Sequence, residues 1–324
     1  MKASAWSRCK DPVGDVFAPV RRGSRAWWAA AVLALVFLLG HLPFLASTLE
    51  DVDSVNFALG LRDFDPGRHR PHPPGYPIYT ALGKAANLVL SESRALAVWG
   101  ALFGALSAFA LLRLFAALDA LDGDLAAPPS RLRQLRIGEW LGRPAVAAAL
   151  TMAAPLFWMT ASRPMSDSAG LAASLTAQAI LLTAIVRQRS AASAGESPSA
   201  PSAAESGRLI LLGAFMSAIA IGFRSQAAWL TLPLLALAIT DRAGRGAAGA
   251  LIGSLVWLMA GTLLWFVPLV IASGGPGAYY AAFGAQAGED WSGVDLLANG
   301  FTVRELAFAL DDTLVRHWAG AGWL

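Results

Sequence analysis

The chain has 324 residues, 56% of them hydrophobic and 15% charged, with a formal charge of +3 and a mean hydropathy of +0.52. Soluble domains average about 25% charged residues, so this composition excludes a soluble enzyme and predicts an all-α polytopic membrane protein, with no call for a nucleic-acid partner. A single cysteine, Cys9, excludes an intrachain disulfide, and the chain carries no P-loop, HExxH, CxxC or GxGxxG pattern.

Residues 1–25 hold Lys2, Arg8, Lys10, Arg21, Arg22 and Arg25, which predicts a cytoplasmic N-terminal tail. A transmembrane domain follows over 26–324. Its first apolar run, 26–47, reaches the roughly 20 residues a helix needs to cross a bilayer, and its weak cleavage site predicts an uncleaved span. The first external loop is expected over 48–92, with a short interfacial helix near 76–90. Further spans are expected at 94–118, 144–162, 168–186, 208–222, 227–240 and 248–272, seven in all with the first.

Arginine-rich loops at 119–143 and around 242–245 fall on the same side as the N-terminus under this assignment. Residues 187–207 are rich in Ser, Ala, Pro and Gly and are expected to form a flexible cytoplasmic linker. Residues 273–302 are Gly-rich and are expected to be an external polar segment. The chain stops at Trp323-Leu324 within an apolar stretch, which leads to the expectation either that a C-terminal part is missing or that later helices are absent. No internal repeat is visible, and no ionisable residue stands clearly at mid-span. Both features would mark a transporter.

Charge concentrates in Leu49–Tyr79, LEDVDSVNFALGLRDFDPGRHRPHPPGYPIY. A helix over 51–62 would send Asp51 and Asp53 to nearly opposite sides. It would place Asp53, Asn56 and Gly60 in a polar or small stripe, against an apolar stripe of Val52, Val55 and Leu59. The acids could cap the helix or serve a site; position alone leaves both readings open. Prolines stiffen the following run, which carries Arg68, His69, Arg70, His72 and Tyr76. Two histidines and two arginines beside carboxylates suit a phosphate or hydroxyl ligand. The competing reading is a structural turn with cations meeting headgroups. His69 and His72 three apart are a weak metal signal. Arg163 and Asp167 flank a short external turn, as a site pair or a mutual ion pair, and Arg224 sits at a second short turn on the same side.

These residues resemble a known family. Asp53-Ser54-Val55-Asn56-Phe57-Ala58, then His72-Pro73-Pro74-Gly75-Tyr76-Pro77-Ile78-Tyr79, then Arg163-Pro-Met-Ser-Asp167 look like the GT-C superfamily. Within it, the resemblance is to bacterial protein O-mannosyltransferase-like (glycosyltransferase family 39-like) membrane proteins, over roughly residues 26–290. It implies a GT-C-like helix bundle in the bacterial inner membrane, N-terminus cytoplasmic. It further implies an inverting transfer of sugar from a polyprenyl phosphate to an acceptor hydroxyl on protein, lipid or polysaccharide, on the periplasmic side. Asp53 falls on the family's catalytic base, with Asp51 as the alternative. The Glu that usually follows is replaced by Ser54, which weakens any claim for a metal on an acidic pair. No metal ligand is assigned, and a divalent metal stays open. Arg70, His72, Arg163 and Arg224 are the candidate cations for the phosphate, and His69, Tyr76 and Asp167 join the substrate site. A transporter or lipid-handling protein without transferase chemistry is the alternative.

Overall fold

The computed structural model describes residues 25–124, 142–193, 195, 201–244, 249–293 and 302–311. Among them are twelve α-helices and no strand: α1 Arg25–His41, α2 Val52–Arg62, α3 Pro77–Asn87, α4 Glu92–Asp124, α5 Arg143–Met152 and α6 Pro155–Ser162. The second half adds α7 Asp167–Ser193, α8 Pro201–Phe223, α9 Ala227–Gly244, α10 Gly249–Ala272, α11 Pro276–Gly293 and α12 Val303–Leu310. Proline opens α3 and α6, where its missing N–H costs nothing and its fixed φ suits a first turn. Among the described residues five long apolar stretches can cross a membrane: Arg25–Phe44, Glu92–Leu121, Asp167–Ser193, Ala204–Phe223 and Gly249–Ala272. The chain is an all-α polytopic membrane protein.

The chain divides into two compact units. The first comprises 1–37, 105–149 and 170–263. Its core joins Ala117 of α4, Ile180, Leu181, Ala184 and Ile185 of α7, Leu209, Ile210 and Ala214 of α8, and Leu235 and Ala238 of α9. The four alanines among them, Ala117, Ala184, Ala214 and Ala238, let helices approach closely, which is how apolar helices gain contact where lipid competes with side chains. Ser206 Oγ donates to the Ala184 carbonyl at 3.0 Å, and Arg187 pairs with Glu205.

The second unit comprises 38–104, 150–169 and 264–324. Here Phe57 of α2 stands edge-on between Tyr76 and Tyr79, with ring centroids at 5.0 and 5.2 Å. The buried Tyr79 hydroxyl donates to the Leu96 carbonyl at 3.1 Å, and Trp99 Nε1 donates to the Leu82 carbonyl at 2.8 Å. Ser168 Oγ donates to the Gly100 carbonyl at 2.9 Å. The buried His41 ring meets the Trp158 carbonyl through Nε2 at 2.9 Å. Each of these bonds ties a polar group to a neighbouring backbone, so burial leaves it satisfied.

Several expectations change. The linker 187–207 is largely helical: α7 runs on to Ser193 and α8 begins at Pro201, with only 194 and 196–200 outside the described residues. The Arg187–Glu205 pair and the Ser206 bond hold these helix ends together, and Ala is a strong helix former. The segment 273–302 contains α11, so most of it is helix; 294–301 lies outside the described residues. Against seven expected spans, the described residues hold five, or six if α5 and α6 together make one. The expected span 227–240 falls within α9, which carries Pro233 and holds Asp241 and Arg242 near its end. Arg113 lies inside the apolar run of α4, off mid-span, with its side chain buried.

Candidate active site

The site is built on α2 and the loop that follows it. Asp51 is the N-cap of α2. Its carboxylate accepts from the Ser54 N–H at 2.7 Å, while Ser54 Oγ accepts from the Asp51 and Glu50 N–H groups at 3.1 and 3.2 Å. This reciprocal box satisfies the orphan donors of the first turn. It commits Asp51 to the helix. Asp53 lies in the same turn, where the helix dipole favours its anion. The helix buries Ser54, Phe57, Ala58, Gly60 and Leu61. The expected apolar stripe is open at Val52 and Val55.

The loop from Asp63 to Tyr76 folds back over this helix. Asp65 and Arg70 exchange two backbone bonds of 2.9 Å, and the Asp65 carboxylate accepts from Gly67 N–H at 3.0 Å. His69 and Tyr76 take left-handed backbone conformations at φ 57 and 44, as does Gly75 at φ 92. The Arg70-Pro71 and Pro73-Pro74 bonds are cis. Gly75 N–H donates to the His72 carbonyl at 3.0 Å, closing a tight turn. A side chain on Gly75 would meet Leu269 at 2.8 Å. A side chain on Gly60 would meet Pro71 Cδ at 2.7 Å. The loop therefore lies directly on the helix that carries Asp53.

That contact brings His72 to Asp53. His72 Nδ1 is 3.6 Å from Asp53 Oδ1, and His72 Nε2 is 3.1 Å from the Tyr76 hydroxyl. When the hydroxyl donates to Nε2, the neutral ring carries its proton on Nδ1, facing the carboxylate. His72 is mostly buried, at 18% side-chain exposure, whereas Asp53 is 47% exposed and open to a ligand. The other members are paired. Arg70 donates to Asp63 at 3.0 Å. Arg163 donates to Glu50 at 3.3 Å, both nearly half exposed. His69 stands 4.0 Å from Glu289 of α11. Asp167 begins α7. Burial, and then the Asp167 charge, push the Tyr79 hydroxyl well above its ordinary pKa, so Tyr79 is a neutral donor rather than a base.

Asp53, His72 and Tyr76 thus form one chain of contacts, and Arg163 joins the acidic start of α2 through Glu50. Arg224 lies in the first unit, at the end of α8, where a side chain added at Gly170 would touch its Cβ at 2.9 Å. Sequence reasoning left Glu50, Asp63 and Glu289 out of the site. Glu50 was legible as the first of three acids before a helix; the partners of Arg70 and His69 depend on how the loop doubles back. Among the described residues no group of three His, Cys, Asp or Glu side chains could hold a metal.

The site thus presents a half-exposed carboxylate beside a histidine on a polytopic helical scaffold. The chain belongs to the family described as Protein O-mannosyl-transferase TMEM260 N-terminal domain, whose family model matches residues 69–245, more than half of the chain. The match takes in His69, Arg70, His72, Tyr76, Arg163, Asp167 and Arg224; the acidic start of α2 lies before it. No curated protein matches the chain, and no solved structure does. Membership makes the chain a member of a glycosyltransferase family.

Proposed function

We propose that the protein is an inverting GT-C-type mannosyltransferase that moves a sugar from a polyprenyl phosphate to an acceptor hydroxyl at the periplasmic face of a bacterial plasma membrane. The observation that carries the reading is the Asp53–His72–Tyr76 chain, with its carboxylate open and its imidazole held. Asp53 takes the proton from the acceptor hydroxyl. The acceptor oxygen attacks the anomeric carbon, the bond from that carbon to the phosphate oxygen breaks, and the electron pair leaves with the polyprenyl phosphate. The departing phosphate is stable as an anion, so it needs positive charge more than a proton. Arg163 supplies that charge by exchanging Glu50 for the phosphate. Arg70, held by Asp63, fixes the loop instead of reaching the donor. His72 orients the Asp53 carboxylate.

The test uses the reconstituted protein with a labelled polyprenyl-phosphate mannose and a hydroxyl-bearing peptide acceptor. A positioned base contributes about 10²–10⁴-fold, so Asp53→Asn should reduce donor turnover by at least about a hundredfold while membrane insertion is unchanged. Equal turnover in wild type and variant would remove Asp53 from the chemistry. No turnover in wild type with any lipid-linked sugar would favour the lipid-handling alternative, which the buried Arg113 in α4 also suits.

A further inference from the structure

The first unit contains a cavity of about 350 Å³ lined by Trp27 of α1, Leu106, Phe109, Ala110 and Arg113 of α4, and Thr176, Ala179 and Ile180 of α7. Ligand sites begin at roughly 300 Å³, so it has room for one headgroup or a stretch of one chain. Its described wall is apolar except for Arg113 and Thr176. Arg113 is 1% exposed and its Nε donates to Thr183 Oγ1 at 3.1 Å. Thr183 in turn donates to the Ala179 carbonyl at 2.6 Å. The guanidinium is thus held by α7. Charged residues inside spans are rare and mark ligand sites more often than packing.

The place of the cavity narrows its occupant. Arg113 sits six residues before Asp119, near the end of the apolar run of α4. Trp27 comes from the first turn of α1. Tryptophans gather at headgroup level, and at 1.5 Å per residue Arg113 stands about 9 Å inward of Asp119, so the cavity reaches from the level of Trp27 into the apolar layer. Leu106 on its wall is about half exposed, which gives an acyl chain a way in from the side. The positive-inside assignment puts this end in the cytoplasmic leaflet.

We infer that this cavity binds an anionic phospholipid of the cytoplasmic leaflet, with its phosphate on Arg113 and part of one acyl chain along Leu106, Phe109 and Ile180. None of these residues belongs to the transferase site, so the inference stands whether or not the transferase reading does.

The test is lipid titration of the purified full chain in detergent, read by native mass spectrometry. Phosphatidylglycerol should bind at least tenfold more tightly than phosphatidylcholine. Arg113→Gln should abolish that preference. Ala179→Leu, which keeps the arginine but fills the cavity, should weaken phosphatidylglycerol binding by a similar factor, and it decides the matter if Arg113→Gln does not fold. Equal binding of the two lipids to wild type, or phosphatidylglycerol retained by Ala179→Leu, would overturn the site. Displacement of phosphatidylglycerol by a polyprenyl phosphate at far lower concentration would overturn the choice of occupant.

Discussion

Gly60→Ala is the sharpest probe of the site, because it adds one methyl where α2 meets the His72 loop. The new carbon would stand 2.7 Å from Pro71 Cδ, 2.9 Å from Pro71 N and 3.0 Å from the Arg70 carbonyl carbon. Ordinary carbon contact begins near 3.5 Å, so the loop must retreat by about 0.8 Å. None of the three atoms is the free end of a flexible side chain. Overpacking of this kind costs typically about 1–3 kcal/mol. Alanine returns about 1 kcal/mol over glycine in a helix, so the net loss of stability should be about 0–2 kcal/mol. Activity should suffer more. A displacement near 1 Å at a catalytic group can cost about a hundredfold, and the loop carries His72 away from Asp53. The assay is donor turnover together with the thermal midpoint, with Gly284→Ala in α11 as control. Nothing lies within 4 Å of a side chain added there, so Gly284→Ala should keep full turnover and gain slightly in stability. If Gly60→Ala turns over donor like wild type, the loop does not position the site.

Asp51→Ala should cost about 0.5–2 kcal/mol through the lost cap and leave turnover within a few-fold, which chemical unfolding and the donor assay separate; a loss equal to that of Asp53→Asn would return Asp51 to the chemistry. Arg163→Gln should lower kcat/KM for the donor by more than about tenfold, whereas Glu50→Gln, which frees the guanidinium, should lower it little. A double-mutant cycle on the folded state should give this exposed pair no more than about 1 kcal/mol. Tyr79→Phe should cost about 0.5–1.5 kcal/mol for the lost bond to Leu96. The folded pKa of Tyr79 is raised, so its contribution is full below the unfolded value near 10 and declines as pH rises above it. The alkaline loss of stability in wild type should therefore be smaller in Tyr79→Phe, as measured by unfolding at pH 9 and 11.

The long helices were legible because an unbroken apolar run has one reading in a membrane. Helix continuation past the bilayer was not. Residues 187–193 look like linker by composition, yet α7 runs through them, since helix ends there are fixed by α8 rather than by local preference. Pro276, with a run of Ala and Tyr after it, could have announced α11; the glycines around it hid the signal. In the site, the acid and the histidine could be read from one loop, and their pairing now has a distance. The pairings of Arg70 with Asp63 and of Arg163 with Glu50 could not be read, because the first needs the loop's reversal and the second joins residues 113 positions apart. Arg113 was passed over because a single charge scarcely changes the hydropathy of a 33-residue helix.

His69 and Tyr76 share a left-handed backbone, but they differ in what it costs to change them. A side chain in that conformation forfeits roughly 1–2 kcal/mol. At His69 little is returned: the ring is 43% exposed and its nearest carboxylate is 4.0 Å away, so glycine there should make a sturdier protein. At Tyr76 the strain is repaid by the ring packed on Phe57 and the hydroxyl on His72, and glycine would open a hole and release the histidine. Two turns of equal strain thus have opposite tolerance. A stabilised variant for crystallisation or assay can be sought at position 69, while position 76 is where robustness and activity are traded against each other.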